Sequence, residues 1–274
     1  MRGLLLGLGL AYASLACEAG GTYPPGPPGR EGWTFRAELA APVPVVARER
    51  FRLTDDYGVT GDLTTATDDL KPFLATAGRE LLLRRGAVGG YESFRVDVSD
   101  VRVVLTANDD DGLRRAIYRF ERQVQGGALK SETRTPWLHN RISRCFFSPI
   151  RSSRFGQDEL LDDEDYYPEA YLNRLAHEGI NGLWLCIDFR QLVETEFNRR
   201  PEHALRRYAK LAETVRKCKR YGIKVWAFGN EPHAFTSQSQ LLKDHPEFGG
   251  YRFSWTDRIC FCPSEPNVLK YLEQ

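Results

Sequence analysis

Gly182-Leu183-Trp184-Leu185-Cys186-Ile187-Asp188 is a nearly unbroken apolar run that ends on a carboxylate. A run of this kind, without polar alternation, is what a strand of a parallel sheet looks like when both of its faces are covered. Its neighbours repeat the theme. Upstream, Pro168 opens a helical pattern carrying Tyr171, Leu172, Leu175 and Ala176, and Gly179 closes it. Downstream, Ala204, Leu205, Tyr208, Leu211, Ala212, Val215 and Cys218 mark a second amphipathic helix ending near Gly222, and residues 223–228 form a third buried strand. A short β-prone run at 141–148 supplies the first strand. Strand, helix, strand, helix, strand implies right-handed crossovers within one parallel sheet.

Residues 33–136 read differently. Phe94, Val96 and Val98 alternate with polar residues, and Val101, Val103 and Leu105 do so again across Ser99-Asp100, which predicts a two-strand hairpin with one buried face. Asp109, Asp110 and Asp111 place negative charge at the start of a helix whose apolar positions are Leu113, Ala116, Ile117, Phe120 and Val124, and Gly126-Gly127 stops it. The stretch 68–85 is expected to be helical too. These elements make a small α+β layer, helices against one sheet face.

The chain has 274 residues, 42% apolar and 27% charged, with 38 basic against 37 acidic side chains. This is a globular composition, and disorder and small disulfide scaffolds are excluded. A net charge of +1 provides no long-range field to gather nucleic acid or an anionic membrane, so partners must be found by local sites. Met1 and Arg2 precede an apolar run from 3 to 16, too short to span a bilayer but suited to a secretory signal. Residues 1–17 are therefore expected to direct export, leaving a secreted, periplasmic or surface-anchored protein. Ser14-Leu15-Ala16-Cys17 loosely resembles a bacterial lipobox, so plain cleavage and lipid anchoring at Cys17 both stay open, anchoring being the only membrane link expected. Residues 18–32, rich in Gly and Pro, have the composition of a tether.

Cys145, Cys186 and Cys218 sit inside apolar or helical patterns and read as small buried hydrophobes. Cys260 and Cys262, one residue apart, lack the further ligands a zinc site requires, and no metal or cofactor is expected.

The succession Tyr91-Glu92-Ser93-Phe94-Arg95-Val96-Asp97-Val98, then 101–106, then Asp111-Gly112-Leu113-Arg114-Arg115-Ala116-Ile117-Tyr118 resembles the small domain that precedes the catalytic barrel in family 20 glycoside hydrolases and in α-glucuronidases. The following segment resembles the opening of such a barrel: an Arg-bearing first strand at 141–148, a helix ending Glu178-Gly179-Ile180-Asn181, then the strand carrying Asp188. The resemblance implies an α/β chain with an N-terminal α+β domain at 33–136 and, at 137–274, the first three βα units of a (β/α)8 barrel, incomplete. A closed barrel takes about 250 residues. The Asp-Glu pair that the family uses for catalysis ends strand four and is expected beyond Gln274, so this chain alone would be inactive.

The resemblance also implies an oligosaccharide or glycoconjugate substrate, a β-N-acetylhexosaminide first and a glucuronide second, and hydrolysis without a cofactor. A degenerate barrel that only binds carbohydrate is the alternative. A sugar offers coplanar hydroxyls and an apolar face, so its site wants forked donors, carboxylates and aromatic floors at the carboxyl ends of strands. Arg144 matches the family's sugar-holding arginine, with Arg141 second, and a structural ion pair is the competing reading for both. Asp188 ends strand two and either contacts ligand or caps a loop. Glu231, in Asn230-Glu231-Pro232, is a candidate for substrate contact, acid/base service or a turn role, and His233 for donation to a hydroxyl. Trp255 is a candidate floor, whereas Trp184 and Trp226 read as core. Asp158-Glu159 and Asp163-Glu164 copy the family's acidic pair but occur too early, and are expected to be solvated loop and helix-start charges.

Overall fold

The computed structural model describes residues 42, 44–146, 158–199, 201, 203–229, 235–253 and 257–274. Glu231, His233, Trp255, Cys17 and the 18–32 tether lie outside them.

The first sheet contains β1 (Phe51–Asp56), β2 (Arg79–Arg85), β3 (Phe94–Val98), β4 (Arg102–Ala107) and β5 (Glu132–Arg134), in the order β1-β2-β4-β3-β5. The expected hairpin is β3 paired antiparallel with β4, Val96 opposite Leu105. Helix α1 (Thr64–Asp69) is short, and 68–85 is not a single helix: β2 lies between β1 and β4, parallel to both. Three consecutive leucines, Leu81 to Leu83, misled the helical reading, because Leu favours helices, while a central strand needs apolar residues on both faces.

Helix α2 (Asp110–Gly126) follows β4 directly. The Asp109 carboxylate accepts from the Gly112 N–H at 2.7 Å, and Gly127 ends the helix in a left-handed turn at φ 64°. Phe120 is buried, edge-on to Phe51 at 5.0 Å and Phe73 at 6.3 Å. The helix can approach this closely only because Gly112 has no side chain: a Cβ there would stand 2.6 Å from the Ser93 carbonyl oxygen. Gly112→Ala is expected to lower stability by about 1–3 kcal/mol, read as a reduced urea midpoint at unchanged slope.

The second sheet is β6 (Ile142–Arg144), β7 (Gly182–Ile187) and β8 (Lys224–Gly229), all parallel, with Arg144, Trp184 and Trp226 in one row. Helix α3 (Glu169–His177) connects the first two strands and α4 (Ala204–Arg220) the second and third. Ile187 packs with Leu160, Leu192 and Leu211, which places α4 behind the sheet. Two expectations need correction. The strand at 223–228 is not buried: Trp226 is 42% and Phe228 43% exposed, because β8 has only β7 as neighbour among the described residues and its front face is open. In α4 the buried residues include Arg207, Thr214 and Cys218, whereas Leu205, Tyr208 and Val215 point outward, Leu205 with 86% exposure.

A third sheet was not foreseen. β9 (Phe235–Thr236), β10 (Gly249–Arg252) and β11 (Arg258–Phe261) are antiparallel, in the order β10-β11-β9. With α5 (Gln240–Asp244) and α6 (Pro266–Glu273) they enclose Phe235, Phe248, Phe261, Val268 and Tyr271.

Candidate functional site

The carboxyl ends of β7 and β8 lie side by side, Ile187 opposite Gly229, while β6 ends at Arg144 opposite Trp184, three residues short of the end of β7; in open α/β sheets ligands bind outside such ends. Arg144 is the last residue of β6, exposed, with its guanidinium carbon 5.3 Å from the centroid of Trp184. Trp184 in turn meets Phe228 edge to face at 5.0 Å. The open face thus carries an aromatic strip, Trp184, Trp226 and Phe228, with a five-donor cation over one end. Trp184 and Trp226 are therefore not core residues.

Asp188 follows β7 directly and is 2% exposed. Its carboxylate accepts from Arg190 at 2.6 Å, and its carbonyl accepts from the Gln191 N–H, so it also organises the turn at Phe189–Gln191. Arg190 lies 4.3 Å over the ring of Phe235. Arg258, on β11, feels Arg190 and the opposing charge of Asp188, and burial first, then Arg190, depresses its pKa. The charges of Asp188 and Arg144 are both felt at Cys186. One anion and two cations thus gather where β7 ends. The sequence reading found Asp188 but missed Arg190, two residues on, which its spacing could have suggested. Arg258 was not accessible, because the third sheet brings it in from far along the chain.

Arg141 lies at the other end. It precedes β6, pairs with the buried Glu92 and donates through Nε to the Gly179 carbonyl at 2.6 Å. It also bonds the Leu138 carbonyl. Of the two readings of Arg141, the structural ion pair is the one its surroundings describe, because the guanidinium faces away from the strand ends that carry Arg144 and Asp188. The early acidic residues are not uniformly solvated either. Glu159 is buried and accepts from Tyr167 Oη at 2.7 Å, and Asp158 is held by the buried Arg207, whereas Asp163 is exposed beside Arg206.

A second cluster sits beside a cavity of about 530 Å³ bordered by Asp69, Glu121, Glu169, Asn173 and His177. His177 stacks on Tyr118 at 3.8 Å, with Nδ1 2.9 Å from the Asn173 carbonyl and Nε2 2.9 Å from Glu121. A carbonyl only accepts, so Nδ1 carries a proton and one further proton is shared between Nε2 and Glu121. Burial opposes charge on His177, yet the Glu121 hydrogen bond and charge outweigh it and raise its pKa. Burial raises the pKa of Glu121 against the pull of His177, and raises that of Asp69 against its hydrogen bond from Asn173. In all three groups the folded state holds protons more tightly than the unfolded chain, so their contribution is full below the ordinary carboxylate and imidazole values and is lost as pH rises through the folded ones. Urea midpoints are expected to fall between about pH 5 and pH 8, with a flatter dependence in His177→Gln. Equal slopes for the two proteins would refute this.

No family model and no curated protein matches the sequence. Solved structures do match in fold. A β-N-acetylhexosaminidase from Bacteroides fragilis superposes with a TM-score of 0.51 at 14% identity, over 85% of this chain and 50% of that one. A family 20 exo β-N-acetylglucosaminidase from Vibrio harveyi, in complex with N-acetylglucosamine, gives 0.55 at 11% identity, over 82% and 40%. A GH138 enzyme targeting pectin rhamnogalacturonan II gives 0.56 at 14%, over 81% and 35%. The chain is similar in fold to part of these glycosidases and spans half or less of their lengths.

Proposed function

We propose that residues 33–136 form a small α+β domain, and residues 137–274 the first three βα units of a (β/α)8 barrel, whose rim recognises carbohydrate in a glycoside hydrolase. The observation that carries this reading is the parallel sheet of β6, β7 and β8, on one face of which Arg144 reaches over Trp184 while Asp188 follows the end of β7. Barrel enzymes build their sites at that face. Arg144 supplies forked donors for vicinal hydroxyls, Trp184 and Phe228 an apolar floor for the sugar face, and Asp188 a carboxylate acceptor. Glu231 and His233 follow β8 by sequence and are assigned to the same rim. The substrate class is a β-N-acetylhexosaminide, with a uronic-acid glycoside second, because the arginines near Asp188 also suit a carboxylate.

Recognition is assigned to these residues and bond cleavage is not. Hydrolysis needs a proton donor and a second carboxylate flanking the glycosidic bond. Asp158 and Glu159 are occupied by Arg207 and Tyr167, so the reacting pair is assigned to the part of the fold that this chain does not span. Export through residues 1–17, with or without a lipid on Cys17, belongs to the same proposal and rests on the Met1-Arg2 start and apolar run alone.

Titration calorimetry of the full chain with N-acetylglucosamine and with glucuronic acid tests the reading. Saturable binding of the first, weakened roughly 10- to 100-fold in Arg144→Ala, is expected, since a hydrogen bond to a charged group is worth about 1.5–3 kcal/mol. Absence of binding to either sugar would remove the proposal. Chromogenic N-acetylglucosaminide should not turn over with this chain alone, and turnover would disprove the division between recognition and cleavage.

A further inference from the structure

The cavity of about 530 Å³ beside His177 shares no residue with the rim assigned to sugar, and its volume is that of a small-molecule site. Five carboxylates line it: Asp68 and Asp69 from α1, Glu121 from α2, Glu169 from α3, and Glu178 just after α3. Arg174 and His177 are the cationic side chains among its lining residues. Along α3, Glu169, Asn173 and His177 recur at every fourth position, so they share one side of the helix and span about 12 Å. Asn173 Nδ2 donates to Asp69 at 2.8 Å, and His177 Nε2 lies 2.9 Å from Glu121. Glu169, Asp69 and Glu121 are thereby set out in sequence along that side. Glu121 is the decisive group. It is 2% exposed, one of its oxygens is engaged by His177, and Oε1 has no hydrogen-bond partner among the described residues. A buried carboxylate oxygen without a donor is costly to the fold, and a ligand that brings a donor relieves that cost. Among the described residues no three of His, Cys, Asp and Glu converge as a metal ion requires. The negative charge is spread along the wall instead, which suits an extended cation better than a point charge.

We propose that this cavity binds an aliphatic diamine, with one ammonium between Glu121 and Asp69 and the other at Glu169. An ammonium carries three donors and no acceptor, so one group serves Glu121 Oε1 and an Asp69 oxygen together through charge-assisted hydrogen bonds. At the other end Glu169 pairs with Arg220 and accepts from Tyr221 Oη. Both members of the Glu169–Arg220 pair are about half exposed, and exchanging such a pair for a ligand ammonium takes little free energy. Taking about 3 Å of hydrogen bond from each end of the span along α3 leaves about 6 Å between the two nitrogens, the reach of about four or five carbons. Pro72, Ala170 and Tyr221 also line the cavity and give the methylenes an apolar wall to bury against. Asp68 and Glu178, both exposed, add negative charge at the mouth.

Titration calorimetry of the full chain with 1,5-diaminopentane is the test, run at about pH 8, above the ordinary carboxylate and imidazole values and below that of an alkylammonium. Saturable binding at one site per chain is expected, with pentylamine weaker by about tenfold or more and the uncharged 1,5-pentanediol without measurable binding. Glu121→Gln keeps the shape and removes the charge, and should weaken the diamine by about 10- to 100-fold. Ala170→Phe leaves every carboxylate in place and fills the space, and should abolish binding. Absence of diamine binding, equal affinity for pentylamine or pentanediol, or unchanged affinity in either variant would each overturn the proposal. The comparison of the three probes on the unsubstituted chain decides the matter even if a variant fails to fold.

Discussion

Glu92→Ala is expected to lower the unfolding free energy by about 3–5 kcal/mol, because it leaves a largely buried arginine without its counter-ion. Glu92 is 2% exposed. One oxygen pairs with Arg141 and the other accepts from Asn181 Nδ2 at 2.8 Å, while the Glu92 N–H donates to Asp109 at 3.1 Å. Asn181 also accepts from the Arg141 N–H at 2.8 Å and donates to the His139 carbonyl at 2.7 Å. This network joins the turn before β3 to the starts of β6 and β7. Glu92→Gln keeps the shape and removes the charge, so a smaller loss of about 1.5–3 kcal/mol is expected. Arg141→Ala in a Glu92→Ala background should cost much less than alone, since partners in one network are not additive. Urea unfolding monitored by tryptophan fluorescence measures all of these. A change below about 1 kcal/mol in Glu92→Ala would mean that Arg141 is not held structurally and would reopen it as a sugar ligand.

The second large effect is expected from Asp188→Ala. Its carboxylate is buried against Arg190 and its charge is felt at Arg258, so its removal leaves cations facing one another near Phe235. A loss of about 3 kcal/mol is expected, together with loss of measurable binding of N-acetylglucosamine. Asp188→Asn keeps an acceptor for Arg190 and should recover part of the stability but little of the affinity. Unchanged stability with unchanged binding would show that Asp188 only ends a strand.

The parts of the fold that could be read in the sequence are those where local pattern and tertiary surroundings agree. α2 has an acidic cap, a helical apolar stripe and a left-handed glycine at its end, and all three are found in the structure. The β3–β4 hairpin was legible from the alternation of β3, where Phe94 and Val96 are buried, whereas β4 is buried on both faces from Val103 to Ala107 and Val101, read as part of the buried face, is exposed. β2 failed because Leu81 to Leu83 carries no period, and only the strands on either side of it decide its state. α4 was legible as a helix ending before Gly222, but not its buried face: Leu205 and Tyr208 are outward, and the buried side takes Arg207 with its partner Asp158 instead. Arg144 was singled out by the family resemblance and Asp188 by its place after an apolar strand, and the structure puts Arg144 at the last position of β6 and Asp188 directly after β7. Arg258 reaches Arg190 and Asp188 only because chain segments meet across a long separation, which composition and spacing do not encode.

The measurement that bears most directly on the proposed sugar-binding rim is an NMR titration of the indole N–H signals with N-acetylglucosamine. The five tryptophans are Trp33, Trp137, Trp184, Trp226 and Trp255. Saturable shifts of Trp184 and Trp226, absent in Arg144→Ala and with Trp137 unmoved, are the predicted result. Indoles of Trp184 and Trp226 that stay fixed up to the solubility limit of the sugar, or that shift equally in Arg144→Ala, would contradict it.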